Sequence, residues 1–332
     1  MSDRRGAVIV TGGAGFIGSH ACKALAAADW TPVTLDNLST GHRDAVRWGP
    51  FEKVDVRDTE HVADAISRFK ASAVLHFAAS AYVGESVERP DAYYDNNVGG
   101  MLSLLKASVT AGVTRFVFSS SCATYGVPAT VPIDETTPQS PINPYGRTKL
   151  MGEQMLADVA RQHGISFALL RYFNAAGADP DGELAERHDP ETHLLPLALR
   201  AAHGGPALRV FGSDYETPDG TCIRDYIHVT DLARGHVAAL DALADRPALA
   251  LNLGSGTGYS VLQIIEAVER HTGRAVRREL GPRRPGDPAM LVADPARARA
   301  VLGFECRHSD ITTIVRTAAR AFESQEANAS IA

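Results

Sequence analysis

Short apolar runs alternate with longer amphipathic stretches through the first half of the chain. Ala7-Val8-Ile9-Val10 is apolar throughout and predicts a strand buried on both faces. From about Gly15 to Ala28, Ile17, Ala21, Ala24 and Leu25 recur at helical spacing on one face. Pro32–Leu35 predicts a second strand. Further helices are predicted near 59–70, 92–111 and 145–162, alternating with strands at Val74–Phe77, Phe116–Ser119 and Phe167–Leu170. Apolar strands separated by helices require right-handed parallel crossovers, so the pattern predicts an α/β fold with a doubly wound parallel sheet. Such sheets bind ligands at the carboxyl ends of their strands.

Beyond about residue 174 the pattern loosens. The stretch 175–191 is rich in Gly, Pro, Asp and Glu and predicts a loop. Helices are expected at 193–203, 230–244, 260–271 and 310–323, with neither an internal repeat nor a disordered linker. At roughly 150 residues per domain, a chain of 332 residues holds about two. We therefore expect a first domain over 1–174 and a smaller, mixed α/β C-terminal lobe over 175–332.

Composition narrows the classes of function. Thirty-three Lys and Arg against 39 Asp and Glu give a net charge of -6, which disfavours a general nucleic-acid binder. No run of 18 apolar residues occurs, so no membrane-spanning helix is expected. The apolar stretch Ala7–Val10 stops at Gly12-Gly13, too short for a signal-peptide core. Cys22, Cys122, Cys222 and Cys306 lie far apart, so neither a disulfide framework nor a metal site is expected. These features predict a soluble cytoplasmic protein. One bias touches the chemistry: only five of the 33 basic residues are Lys, at 23, 53, 70, 106 and 149, and the rest are Arg.

Three motifs fall at strand ends. Gly12, Gly15 and Gly18 stand between the first strand and first helix. Glycines there allow a tight turn and close approach of backbone to a pyrophosphate, and the helix N-terminus offers free N–H groups. Asp36 ends the second strand, where a carboxylate accepts hydrogen bonds from ribose hydroxyls and repels a 2′-phosphate, favouring NAD over NADP. Its plainer reading is a turn residue, and Asp55, at another strand end, divides equally between an adenine-facing role and a turn role. Next, Tyr145 and Lys149 form the only Tyr–Lys pair at i, i+4 spacing, just after Pro144, which favours a first helical turn. An ammonium about 6 Å from the phenol, at an effective dielectric near 20, is worth roughly 2.8 kcal/mol, or about two pKa units. The pair therefore predicts a tyrosine able to act as a base on an alcohol during hydride transfer. Finally, Phe116–Ser119 runs into Ser120-Ser121-Cys122-Ala123-Thr124-Tyr125-Gly126, and one of these hydroxyls is placed to bond the reacting oxygen.

Gly12-x-x-Gly15-x-x-Gly18, the serines and Tyr145-x-x-x-Lys149 resemble the extended short-chain dehydrogenase/reductase family, a Rossmann-fold family. The resemblance is closer to its UDP-glucose (UDP-galactose) 4-epimerase branch and covers nearly the whole chain. It is carried also by Asp36-Asn37-Leu38, His76-Phe77-Ala78-Ala79, Val83-Gly84-Glu85-Ser86, Tyr93-Tyr94-Asp95-Asn96-Asn97, Arg171-Tyr172-Phe173-Asn174, Arg224–Val229 and Arg284-x-Gly286-Asp287. The resemblance implies NAD held by Phe16, Ile17, Asp36, Asn37, Asp55, Val56, Phe77, Ala78, Ala79, Asn96, Tyr145, Lys149 and Phe173, together with the glycines. It implies Ser121 as hydroxyl partner and Tyr145 as base. It places a UDP-sugar on Ser121, Tyr145, Asn174, His193, Leu194, Arg209, Phe211, Arg224, Arg284, Asp287 and Leu291. The guanidinium pair Arg224 and Arg284 also suits a diphosphate on chemical grounds. The segment near 223–254 is implied to return to the first domain, and a homodimer to form through helices matching 92–111 and 145–162. The implied reaction removes the C4 hydroxyl proton and C4 hydride, lets the 4-keto sugar turn over, and returns hydride to the other face.

Departures bear on the sugar rather than on the NAD chemistry. Ala81 stands where several relatives have Lys, His193 where some have Asn, and Leu291 where one bacterial form has a bulky Tyr. Cys122-Ala123-Thr124 also resembles UDP-arabinose (UDP-xylose) 4-epimerases. The same positions lack the Asp-Glu pair of a 4,6-dehydratase, which disfavours elimination of water. A nucleotide-sugar dehydrogenase and a non-catalytic NAD-binding regulator remain as alternatives on the same fold, although such regulators often lose the Tyr or Lys that this chain keeps.

Overall fold

The computed structural model describes residues 5–284 and 287–329. In the first half the strands are Ala7–Thr11 (β1), Thr31–Asp36 (β2), Phe51–Lys53 (β3), Ala73–His76 (β4), Arg115–Ser119 (β5) and Ser166–Tyr172 (β6). Asn174–Ala176 (β7), Leu208–Phe211 (β8), Ile223–His228 (β9), Ala248–Leu253 (β10), Gly258–Ser260 (β11), Arg278–Gly281 (β12) and Met290–Leu291 (β13) follow. One sheet has the order β10-β6-β5-β4-β1-β2-β3, with every pairing parallel. The order reverses between β1 and β4, which is the crevice where a doubly wound sheet receives a dinucleotide.

Alternation along the strands explains the two-sided core. Val8 and Val10 of β1 face one side with Leu75, Val117 and Leu251, and there the helices Phe16–Ala27 and Val229–Ala242 pack. Ile9 faces the other side with Val33, Val74 and Phe116, covered by helices Thr59–Phe69, Gly100–Thr110 and Pro144–His163. The central strands β1, β4 and β5 are thus buried along nearly their whole length, which is why they read as short apolar runs, whereas the edge strand β3 is half-buried to exposed.

The helix expected over 92–111 is interrupted. Pro90–Tyr93 and Gly100–Thr110 are α-helical, and Tyr94–Gly99 between them is a π-helical turn. The wider turn is a common mark of functional positions. Here it points Asn97 inward, where its amide takes a bond from the Ser80 N–H at 2.8 Å and donates to the Thr148 hydroxyl at 2.9 Å.

The later strands build two small sheets. β9 lies between β11 and β13 and also pairs with β7, while β8 pairs with β12. Within 223–254, Ile223–His228 therefore belongs to a small sheet, whereas Val229–Ala242 and β10 join the large one. A separate core of Leu195, Leu199, Val210, Ile264, Ile265 and Ile314 lies beneath the small sheets. No helix among the described residues is long and apolar enough to cross a membrane.

Candidate active site

The first βα turn is closed by glycine. Gly12 has φ +72° and its α-carbon sits against the start of the next crossover, so an added Cβ would lie 2.6 Å from the Ala78 backbone nitrogen. A Cβ on Gly18 would lie 2.1 Å from the Gly12 carbonyl oxygen. Helix Phe16–Ala27 begins at Gly15 with no side-chain cap and no acid in its first turn, which leaves its leading N–H groups and partial positive charge for an anion. A small cavity opens over this turn, lined by Ala14, Gly15 and Phe16 and, opposite, by Thr40, His42, Arg187 and His188.

Asp36 ends β2 beside this turn. Its carboxylate is fixed by the N–H groups of Ala14 at 3.0 Å and Leu38 at 2.8 Å. Burial raises its pKa, and the two backbone donors oppose that rise. Asp55 receives Asn37 Nδ2 at 3.0 Å and is paired with Arg57, which more than offsets burial and holds it well below the usual carboxylate range. Val56 is buried, Phe77 packs tilted on His236, and Ala78 and Ala79 are half-buried at the end of β4. Asn96 donates to the Ser80 hydroxyl at 3.1 Å. Most residues expected around a dinucleotide thus come from the ends of β1, β2, β3 and β4 and from the π turn, while Tyr145 and Lys149 lie on helix Pro144–His163 and Phe173 follows β6.

The catalytic candidates meet at the end of β5. Asn143 caps helix Pro144–His163 by accepting from the Gly146 N–H at 2.8 Å, so Tyr145 and Lys149 start on one face as their spacing requires. Ser121 caps the single turn Cys122–Thr124, and both Ser121 and Tyr145 are 7% exposed. Lys149 is buried, donates from Nζ to the Ser119 carbonyl at 2.8 Å, and lies 5.9 Å from the Tyr145 ring centroid.

The electrostatics correct one expectation. Lys149 was expected to bring the Tyr145 phenol down toward neutrality. Burial instead pushes the phenol above its ordinary range, Tyr172 adds to the rise, and the Ser121 hydroxyl opposes it. Burial also lowers Lys149 to about 8, although Glu153, one helical turn further on, works against this. The ammonium donates to the Ser119 carbonyl and stands one turn from Glu153, and burial is the larger influence on the phenol. His76, bonded to Thr11 Oγ1 at 2.7 Å, is pushed down to about 3 by burial and then by Lys149, and so is neutral.

Sequence reading missed what lies beneath this pair. Glu153 and Arg171 form an ion pair at 2.7 Å with side chains only 4% and 7% exposed. Ser120 Oγ donates to Glu153 at 2.5 Å, Arg171 donates to the Tyr125 hydroxyl at 3.0 Å, and Tyr125 donates to Asn252 at 2.7 Å. The network joins the serine turn, the Tyr145 helix, β6 and β10. A buried ion pair tolerates loss of one partner poorly, so removing either Glu153 or Arg171 leaves an uncompensated buried charge.

On the far side, Phe173 packs with Cys122, Tyr125, Ile133 and Ala293, and Leu291 touches the same cluster. Leu291 of β13 is the register partner of Arg224 on β9. Arg224 is 9% exposed, paired with Asp287, and donates to the carbonyls of Ile223 at 2.7 Å and Pro288 at 2.8 Å. Its charge reaches Cys122, next to Ser121. Asn174 lies on β7. Arg209 and Arg284 both stack on Phe211, at 5.2 and 4.0 Å from its centroid. Gly286 lies outside the described residues. His193 precedes helix Leu194–Ala202, and its ring turns to Glu186 at 2.9 Å and Glu191 at 3.0 Å.

A doubly wound sheet with a glycine turn at its crevice and a Ser–Tyr–Lys group at the adjacent strand end defines a nicotinamide-dependent short-chain enzyme. The model of the NAD dependent epimerase/dehydratase family matches residues 8–254, and the chain belongs to that family. Over 313 residues it is 51% identical to the UDP-glucose 4-epimerase of Rhizobium meliloti (strain 1021), a match covering 94% of this chain and 95% of that one. It resembles the crystal structure of UDP-glucose 4-epimerase from Brucella ovis in complex with NAD, with TM-score 0.93 and 57% identity over 96% of this chain and 98% of that one. A UDP-glucose 4-epimerase from Stenotrophomonas maltophila, solved with NAD and formylated UDP-arabinopyranose, matches with TM-score 0.94 and 41% identity over 98% of this chain and 100% of that chain.

Proposed function

We propose that the chain is an NAD-dependent 4-epimerase that interconverts UDP-glucose and UDP-galactose. The observation that carries the reading is the convergence of Ser121, Tyr145 and Lys149 at the end of β5, next to the Gly12–Gly18 turn and the fixed Asp36 carboxylate. The residues present fit NAD: the cradle at Gly12 and Gly18 has no room for a Cβ, and the helix behind it presents unbonded N–H groups to a pyrophosphate.

Tyr145 takes the proton from the sugar's O4 and gives it back, and Ser121 donates a hydrogen bond to that oxygen. Lys149, tied to the Ser119 carbonyl, orients a ribose and supports the phenolate. Bound NAD+ supplies the hydride acceptor, later the donor, and a positive charge that favours the phenolate. Because hydride leaves C4 and returns to C4, substrate and product are at one oxidation level and no external oxidant is consumed. Arg224 and Arg284 hold the diphosphate, and Asn174, Leu194, Arg209, Phe211 and Asp287 complete the nucleotide-sugar site. Residues 1–174 with the returning Val229–Leu253 segment form the cofactor part, and the rest of 175–332 the sugar part.

A pentose reading has its own support. It rests on the likeness of Cys122-Ala123-Thr124 to UDP-arabinose (UDP-xylose) 4-epimerases, and Cys122 and Leu291 both border the Phe173 cluster. The chain also acts as a homodimer in this reading, through the faces that leave Val87, Leu102 and Met151 63%, 43% and 38% exposed. Its location is the cytoplasm, in keeping with four unpaired cysteines. The test is NMR of UDP-glucose, UDP-galactose, UDP-xylose and UDP-N-acetylglucosamine incubated with the protein and no added NAD. C4 inversion of a hexose supports the proposal, and inversion of the pentose alone replaces it with the second reading.

A further inference from the structure

Four side chains converge in the loop ahead of helix Leu194–Ala202; His193 among them stands at a position that the family resemblance gives to the UDP-sugar, and the other three lie outside the residues assigned to the epimerase reaction. They come from Glu186-Arg187-His188-Asp189-Pro190-Glu191-Thr192-His193, where Glu-x-His recurs after one intervening pair. One donor atom from each of Glu186, His188, Glu191 and His193 lies within 4.8 Å of all the others. Glu186 Oε1 is 3.0 Å from His188 Nδ1 and 2.9 Å from His193 Nδ1. Glu191 Oε1 is 3.0 Å from His193 Nδ1, and its Oε2 is 3.7 Å from His188 Nδ1.

From this geometry we infer a divalent metal site of the zinc class, with Glu186, His188, Glu191 and His193 as its ligands. Two imidazoles and two carboxylates are a donor set of the borderline type that suits Zn2+ rather than Ca2+ or Mg2+. In a tetrahedral site with bonds near 2.0–2.1 Å, neighbouring donors stand about 3.3 Å apart. The N–O spacings of 2.9–3.7 Å lie around that value, and His188 and His193 approach different oxygens of Glu191, so that carboxylate must turn to offer a single donor.

The Glu186 and Glu191 side chains are only 9% and 5% exposed. Two buried carboxylates side by side need positive charge, which either a divalent ion or the imidazoles themselves can supply. Burial works against the charged imidazoles, but the bonds to Glu186 and Glu191 raise His188 to about 9 and His193 to about 10. Arg187 does not supply it, since it is turned away onto Asp44 at 2.8 Å. With both imidazoles neutral, the four ligands carry two negative charges, matching one divalent ion. Glu191 is held in place by the N–H groups of Thr192 at 2.7 Å and His193 at 2.8 Å, the kind of support that orients a ligating carboxylate. A cavity lined by Glu186, His188, Glu191 and His42 gives an ion a way in. Around the cluster, the His188 ring meets Phe16 at 6.3 Å and Tyr82 at 5.9 Å. A bound ion therefore pins the loop leading into helix Leu194–Ala202 against the dinucleotide turn.

The alternative occupant of the cluster is protons, giving imidazolium–carboxylate pairs with no metal. The test uses the purified holoprotein, stripped with chelator, desalted and titrated with Co2+. The site predicts one equivalent bound with the visible d–d bands of four-coordinate Co2+, displaced by one equivalent of Zn2+. His188→Asn and Glu191→Gln, checked for retained NAD and fold, should each weaken binding by roughly 10–100-fold or more. Zn2+ should raise the Tm of the parent and not of the double variant. Absence of stoichiometric Co2+ uptake by the unmodified protein overturns the site, as does uptake that both variants leave unchanged.

Discussion

Tyr145 and Lys149 show how one burial acts in opposite directions on an acid and a base. The same desolvation that raises the phenol lowers the ammonium to about 8. Tyr145→Phe keeps the ring and removes the proton carrier, so kcat should fall by about 10²–10⁴-fold with NAD still bound. Retention of more than a tenth of the activity would remove Tyr145 from its role. Lys149→Met should slow turnover and shift the rising limb of the pH–rate profile to higher pH. It should also change stability in a definite direction. Lys149 has a folded pKa below its ordinary 10.5, so between pH 8 and 10.5 the unfolded chain binds more protons and parent stability rises with pH. Below about 8 the parent carries the full cost of a buried charge, which Met lacks. Thermal unfolding should therefore favour the variant most at or below neutral pH and progressively less from pH 8 to 10.5; a gap that widens over that range contradicts the assignment.

Among the elements, those set by local pattern were legible and those set by partners were not. β1, β4, β5 and β6 are apolar on both faces, and their helices repeat apolar residues at one period, so sequence alone finds them. β7, β8, β11, β12 and β13 are two to four residues long and owe their form to pairing with neighbours far away in sequence, so they leave no run to read. The π turn at Tyr94–Gly99 could not be read because a single wider turn leaves no period of its own inside a helical stretch, and it made Asn97, not only Asn96, a structural part of the site. The pairing of Glu153 with Arg171 was hidden for a similar reason: nothing in spacing joins position 153 to 171. The glycine turn, by contrast, was legible because only a missing side chain fits there. Gly18→Val would drive side-chain atoms into the Gly12 carbonyl, so the purified variant should hold well under one NAD per chain. Stoichiometric NAD in that variant would show that the turn does not carry the cofactor.

At the scale of the whole molecule, a long excursion after β6 folds a lobe of small sheets and then returns through β10 to extend the large sheet. In the proposed reading specificity depends on volumes contributed by β9, β13 and the serine turn together, which is why the sequence was least decisive about the sugar. Leu291 belongs to this scale. Leu291→Tyr adds a ring and a hydroxyl next to Phe173 and Cys122, and one apolar contact is worth about 1–3 kcal/mol of discrimination. The kcat/KM ratio of UDP-galactose over UDP-N-acetylgalactosamine should rise by about 10-fold or more on this scale. An unchanged ratio in a folded, active variant would move the specificity wall elsewhere. The central claim is that one hydride leaves C4 and returns to the same C4 inside one closed site. UDP-glucose deuterated at C4, incubated with the protein and no added NAD, measures this directly by NMR and mass spectrometry. The account predicts UDP-galactose that keeps its deuterium at C4, with no NADH accumulating in solution. Product that has exchanged its deuterium for solvent hydrogen, or turnover that occurs only as added NAD is consumed, would contradict it.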